Sequence, residues 1–196
     1  IYLAQNKKQC SVVSTYWINE KQLSEPNVIL DCSSFYINDI VWHAEKSQLI
    51  YSAMAFNEPK SRIYHFDLTT QTQQLLTQPG IYGDYISSLD LSPDGKKLLI
   101  VNNDREFNSQ LFVLDLTTKK LTPELNLNYN ISEATWYHDS KRVLYSGPSP
   151  SHQIMINDLN GKQQHTLLNA SDYLNKGFSR IKSSQDILFS TVKSNY

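Results

Sequence analysis

Apolar and polar residues alternate along much of this chain in short runs, the period-two pattern of half-buried β-strands. Ile40 and Trp42 share one face of such a run, as do Leu89 and Leu91, and Ala134 and Trp136. Each run leads through a polar turn into a continuous apolar segment, Leu98 to Val101 or Val143 to Tyr145, as expected of a strand covered on both faces. The pattern repeats: 49 residues separate Trp42 from Leu91, and 45 separate Leu91 from Trp136. A second motif recurs in step with the first. Arg62-Ile63-Tyr64-His65-Phe66-Asp67-Leu68-Thr69-Thr70 matches Gln110 to Thr118, with Asp115 at the place of Asp67, and a third copy runs from Gln153 to Gly161 with Asp158. These aspartates lie 48 and 43 residues apart.

Every unit reads as four antiparallel strands, A to D, with a tight A–B turn and a C–D hairpin that follows the aspartate. In the middle copy the A–B turn is Pro93-Asp94-Gly95, which supplies a preset φ, an Asx hydrogen bond and a residue free to adopt positive φ. Four-stranded units of about 40–50 residues predict an all-β fold of β-propeller blades; the competing reading is a β-sandwich with chance similarity among its hairpins. The expected blades span about 37–77, 86–125 and 131–168, flanked by half blades at 10–32 (strands C and D) and 178–192 (strands A and B). The 196 residues thus read as one propeller domain or part of one, about four blades' worth, either a small closed ring or an arc of a larger propeller. In the last half blade the strand A register is ambiguous, because Ile181 sits one residue closer to its B strand than Trp42 does to its own.

Charge narrows the possible partners. Lys and Arg number 18 against 19 Asp and Glu, a net charge of −1. Sequence-independent binding to nucleic acid needs a cationic surplus, so none is expected of these residues. Twelve tyrosines among 11% aromatic residues argue against disorder, and no apolar run approaches the roughly 18–20 residues of a membrane span. The chain begins Ile1-Tyr2-Leu3-Ala4 with neither an initiator Met nor a signal-peptide pattern, so a piece of a longer polypeptide is expected.

The stretch Leu89-Asp90-Leu91-Ser92-Pro93-Asp94-Gly95-Lys96-Lys97-Leu98 resembles the core of the TolB-type propeller repeat, whose consensus runs through Trp-Ser-Pro-Asp-Gly. Trp42 and Trp136 stand at that family's Trp position and Leu91 replaces it in the middle copy. The first copy departs at its turn, His43-Ala44-Glu45-Lys46, and the third keeps only Asp139. The resemblance covers about residues 37–192 and speaks to fold, because the repeat serves several unrelated functions.

Little else carries chemistry. Cys10 and Cys32 flank the first C–D hairpin, where strand pairing would bring them opposite each other. A disulfide there would contribute roughly 3 kcal/mol by the chain-entropy estimate and imply an oxidising compartment; the alternative is two separate thiols. Of the five histidines, His43 and His138 fall beside A–B turns and are expected to be exposed, His65 belongs to a C strand, and His152 and His165 show no ligand spacing. Gly147-Pro148-Ser149-Pro150-Ser151 is a Pro-broken loop and not a nucleophile elbow. Asn102-Asn103-Asp104-Arg105-Glu106 concentrates oxygen atoms that suit a hard cation, but reads better as a solvated loop. Met54 and Phe56, in the insert Ala53–Lys60, read either as a partner-contact patch or, preferably, as packing onto the next blade. Asn130-Ile131-Ser132 and Asn169-Ala170-Ser171 match the glycosylation sequon, a frequent coincidence in a chain rich in Asn and Ser.

The expectation is a non-enzymatic sensing or protein-interaction domain with no cofactor and no metal. Its partner would be a protein or a small-molecule signal. Among the settings in which TolB-like repeats occur, the favoured one is the periplasmic part of a CadC/ToxR-type membrane-tethered transcriptional regulator, whose DNA-binding and membrane segments would lie outside these residues. The alternatives are a TolB-like envelope protein and the gating propeller of a prolyl-oligopeptidase-like peptidase.

Overall fold

The computed structural model of the chain describes residues 2–5, 11–15, 27–30, 35–58, 60–77, 85–106, 108–131, 133–148, 153–159, 164–168, 173–180 and 186–193. Two compact units divide the chain, Ile1–Tyr82 and Gly83–Tyr196. Among the described residues regular structure is all strand except for one short 3-10 turn, and no helix is long and apolar enough to cross a membrane. The fold is all-β, built from antiparallel four-stranded sheets of the kind found in β-propellers.

In the first unit, β1 (Tyr2–Gln5), β2 (Ser11–Thr15) and β3 (Asn27–Leu30) form a three-stranded sheet in that order. Strands β2 and β3 fall on the expected C and D strands; β1 takes the B place beside them. Its four residues carry no repeat motif, which is why the sequence gives no warning of it. The second sheet is a meander of β4 (Phe35–His43), β5 (Gln48–Ala55), β6 (Ser61–Asp67) and β7 (Thr72–Leu75). Its core consists of Ile37, Leu49, Tyr51, Ala53, Tyr64 and Phe66, with Ile29 and Leu30 of β3 packed against it. All four residues of β7 are exposed, as befits an outermost strand.

The second unit holds two complete meanders. Strands β8 (Tyr85–Leu91), β9 (Lys97–Asn103), β10 (Ser109–Asp115) and β11 (Leu121–Leu127) make the first. Strands β12 (Ala134–Trp136), β13 (Arg142–Ser146), β14 (Ile154–Asp158) and β15 (Gln164–Leu168) make the other. A hairpin of β16 (Tyr173–Arg180) and β17 (Ile187–Lys193) follows. The continuous apolar B strand is covered on both faces as its sequence implies: Leu98 to Asn103 are all buried. One face, with Leu99, Val101, Leu111 and Val113, joins Trp136, Val143, Tyr145 and Met155 of the next sheet in a common core. Pro123, which cannot donate to a ladder, lies on the edge strand β11 next to a register shift.

The repeat extends to backbone detail. Both β4 and β8 carry a bulge at the same place, between Ile37 and Asp39 and between Ile86 and Ser88, which increases local twist. In all three four-stranded sheets the N–H of the leucine after the motif aspartate (Leu68, Leu116, Leu159) donates to a carbonyl of the A–B turn (Ser47, Lys96, Lys141). These bonds tie the two turns at one end of each blade. Trp42 pairs with Leu49, Leu91 with Leu98 and Trp136 with Val143, a constant separation of seven residues. In the last hairpin Arg180 pairs with Ile187 at the same separation, so Arg180 takes the Trp position and the register is settled.

Candidate functional site

At the turn end of the blades the motif aspartates are engaged by the chain itself. Asp67 Oδ1 accepts the N–H groups of Thr69 (2.8 Å) and Thr70 (3.0 Å), and Asp115 Oδ1 accepts those of Thr117 (2.9 Å) and Thr118 (2.7 Å). The amides of Thr70 and Thr118 are the main reason both carboxyls sit below the usual carboxylate range. Asp94 accepts the Ser92 hydroxyl (2.6 Å) and the Lys96 N–H (3.1 Å). Asp139 accepts the N–H groups of Lys141 and Arg142 and the Arg142 guanidinium at 2.7 Å. Partial burial pushes the carboxyls of Asp94 and Asp139 upward, but these bonds outweigh it and hold both low. Gly95, at φ 69°, takes the left-handed position of its turn; Ser140 holds the same position at φ 56°. Pro93 is exposed at the turn's head. Asp158 ends β14, and the hairpin after it lies outside the described residues.

The two Trp positions differ. Trp136 is wholly buried, and Asp90 of the neighbouring sheet clamps it. Asp90 Oδ2 accepts the Thr135 hydroxyl (2.6 Å) and the Trp136 N–H (2.7 Å), while the Trp136 indole N–H donates to the Asp90 carbonyl at 3.0 Å. Trp42 is 38% exposed. Leu91, between them in the series, is half-buried. Sequence reasoning missed Asp90; the available signal was a carboxylate inside an otherwise apolar-and-serine strand. A second link is Ser109, whose hydroxyl donates to Asn103 Oδ1 (2.5 Å) and accepts the Ile131 N–H, in the connection leading to β12, at 2.8 Å.

The opposite end of the blades, formed by the start of strand A and the B–C loop, presents aromatic surface. Tyr36 and Phe56 meet edge to face with centroids 4.6 Å apart, and each is about half exposed. The loop turns back onto its own strand A, where Tyr36 receives the Phe56 ring. Met54 is half-buried in the same strand end. A Glu58–Arg62 ion pair braces the loop. Tyr85 stands at the position of Tyr36 in the next sheet and is likewise exposed.

The remaining candidates find plain roles. Asp104 Oδ1 accepts the N–H groups of Glu106 and Asn108, both at 2.8 Å, and Oδ2 accepts the Asn108 side-chain amide, so its oxygens shape the loop; the Asn108 backbone N–H is the largest cause of its lowered carboxyl. Asn102 and Asn103 point into buried surroundings. His43, expected at the surface, is buried: β4 runs on through it, so it faces inward where Trp42 faces out. His138 Nε2 lies 3.2 Å from the Asp186 carbonyl, His65 is half-buried in β6 and His165 is exposed. Asn130 is exposed. Cys10, Cys32, His152 and Asn169 lie outside the described residues. No group of three or more metal-ligating side chains occurs among the described residues.

These meanders, joined in the second unit through the A strands β8, β12 and β16, have the form of part of a β-propeller. Solved structures of TolB-like propellers are among those the chain resembles in shape. TolB from Acinetobacter baumannii superimposes with a TM-score of 0.77 at 21% identity, covering 100% of this chain and 47% of that one. A putative TolB from Agrobacterium tumefaciens gives 0.76 at 13%, covering 99% and 70%. A chain of a nidogen/laminin complex gives 0.75 at 9%, covering 97% and 69%. At these identities the likeness is one of fold. The chain spans about half the length of the Acinetobacter protein. No family model matches the sequence, and no match to a curated protein was found.

Proposed function

We propose that the chain belongs to a single non-enzymatic propeller outside the cytoplasm that works by holding a protein partner. In this reading it is the periplasmic sensing domain of a membrane-bound transcriptional regulator, with its DNA-binding and membrane segments elsewhere in the polypeptide. The observation that supports partner binding is the half-exposed Tyr36–Phe56 pair on a braced loop. Rigid aromatic side chains at a surface are the usual anchors of protein interfaces, and here Tyr36 stands on strand β4 and Phe56 in the turn directly after β5. Every motif carboxylate whose bonds are described is occupied by its own turn, which favours structural over catalytic roles for the aspartates. The likeness to TolB favours a second reading, an envelope protein-interaction domain without a DNA-binding segment.

The complete gene separates these readings. An upstream winged helix-turn-helix followed by about 20 apolar residues supports the regulator. Its absence, with an export signal instead, supports the envelope protein; a downstream Gly-x-Ser-x-Gly with Asp and His points to a peptidase's gating propeller. A photo-crosslinking residue at position 56 of the intact protein, expressed in its own cell, is expected to trap one discrete protein adduct that the Tyr36→Ser variant weakens. Uniformly absent adducts at positions 36, 56 and 85 would remove the partner-binding reading. For the compartment, intact mass after alkylation of unreduced exported protein is expected to show Cys10 and Cys32 protected as a disulfide.

A further inference from the structure

The turn end of the second unit carries a local surplus of cations. Its turns 92–97, 115–120 and 137–142 hold Lys96, Lys97, Lys119, Lys120, Lys141 and Arg142 against Asp94, Asp115 and Asp139. That is a surplus of three positive charges in a chain whose net charge is −1. We propose that this end of the unit docks on an anionic phospholipid surface. The proposal is independent of the partner-binding surface at Tyr36 and Phe56.

Hydrogen bonds fix the three turns to one another. The Leu116 N–H donates to the Lys96 carbonyl at 2.8 Å and joins the second turn to the first, while the Asp94 N–H donates to the Ser140 hydroxyl at 3.2 Å and joins the first to the third. The aspartates are occupied. Asp94 and Asp115 accept N–H groups of their own turns, and Asp139 is paired with Arg142. Arg142 also lies over the Tyr137 ring at 4.4 Å, and Lys97 over the Trp136 ring at 6.0 Å, so these two cations are held against the protein. The other four, Lys96, Lys119, Lys120 and Lys141, are exposed.

The surplus is specific to these turns. The two further turn segments of this unit, 158–163 and 181–186, carry one Lys and one Asp each and leave the sum unchanged. In the second sheet of the first unit the matching segments, 43–48 and 67–72, hold Lys46 against Glu45 and Asp67. At the opposite end of the second unit's blades, in the B–C loop and the connection into β12, Asp104, Glu106 and Glu133 outnumber Arg105. An anionic plane therefore attracts one end of these blades and repels the other, which orients the unit as well as holding it. Lysine suits such a plane, being a hydrated point charge on a flexible stem that can follow mobile headgroups. A discrete acidic segment is better held by the bidentate fork of an arginine, and Arg142 is engaged with Asp139.

The test is sedimentation of the full chain at low ionic strength with vesicles of phosphatidylglycerol and phosphatidylcholine in equal parts. Binding is expected to these vesicles and not to phosphatidylcholine alone, and it should fall at least tenfold in about 1 M salt, where charges are screened beyond about 3 Å. Lys141→Gln is expected to weaken binding about fivefold. The quadruple variant Lys96→Gln, Lys119→Gln, Lys120→Gln, Lys141→Gln should weaken it about a hundredfold while the urea midpoint holds; Gln71 already occupies the left-handed position that matches Lys119. Lys46→Gln removes the same charge from the first unit and leaves binding unchanged. Equal binding to phosphatidylcholine vesicles overturns the proposal, as does an equal loss from Lys46→Gln and Lys141→Gln. Saturable binding to soluble poly-glutamate without binding to the vesicles also overturns it, and assigns this end to an acidic protein segment instead.

Discussion

Trp42 and Trp136 occupy the same place in two copies of one repeat, pair with their B strands in the same register, and have opposite fates. Trp136 is enclosed and held by Asp90; Trp42 is 38% exposed. For Trp136 the partner that holds it lies in the preceding A strand. Asp90, one residue before Leu91 on β8, supplies the acceptor that the next sheet needs, whereas among the described residues the sheet before Trp42 shows β1, β2 and β3 in the B, C and D places. A repeat residue is therefore read correctly for strand and register from its own blade, while its burial depends on its neighbour's.

The sharpest way to break this comparison is to truncate both side chains. Trp136→Ala is expected to cost about 3–5 kcal/mol in urea unfolding, the range for emptying a large core site, against under about 1 kcal/mol for Trp42→Ala. Equal losses would show that the exposed ring carries a role in stability that its surroundings do not reveal. Next in size is the clamp. Asp90→Ala strands the Thr135 hydroxyl and the Trp136 N–H and is expected to cost about 1–3 kcal/mol. Pairing it with Thr135→Val in a double-mutant cycle should return a coupling of at least 0.5 kcal/mol for residues in one network; additivity would dissolve the clamp.

The turns give smaller effects. Lys119 (φ 59°) and Gln71 (φ 58°) hold matching left-handed positions after Asp115 and Asp67. Lys119→Gly is expected to stabilise by up to about 1 kcal/mol, and Gly95→Ala to destabilise by about as much, both read as shifts in the unfolding midpoint. Smallest is the acid response. Asp67, Asp94, Asp104, Asp115 and Asp139 all have lowered folded-state carboxyl values. Their contribution to stability is complete above the unfolded value of about 3.9 and is lost as pH falls through the lowered folded values. The urea midpoint should therefore drop between pH 5 and pH 2, and Asp115→Asn should flatten that drop slightly without altering the midpoint's dependence above pH 6.

The blades were legible because two periodic signals coincide: alternation within strands and recurrence of Asp-Leu at the C–D turn. The leucine amides of 68, 116 and 159 explain why that dipeptide recurs. Burial was less legible. His43 is buried rather than exposed because strand β4 continues one residue past the expected turn. Strand β1 was invisible, being four residues that carry no repeat motif.

The links between the two complete sheets of the second unit carry a further consequence, for synthesis. Each sheet is a meander whose pairings are local, whereas Ser109 to Ile131 spans 22 residues and Asp90 to Trp136 spans 46. A ribosome delivers the Asp90 and Ser109 side chains before the residues they hold. The earlier sheet can thus form first and wait with its acceptors facing water, as a template onto which the next hairpins lock in the order they emerge.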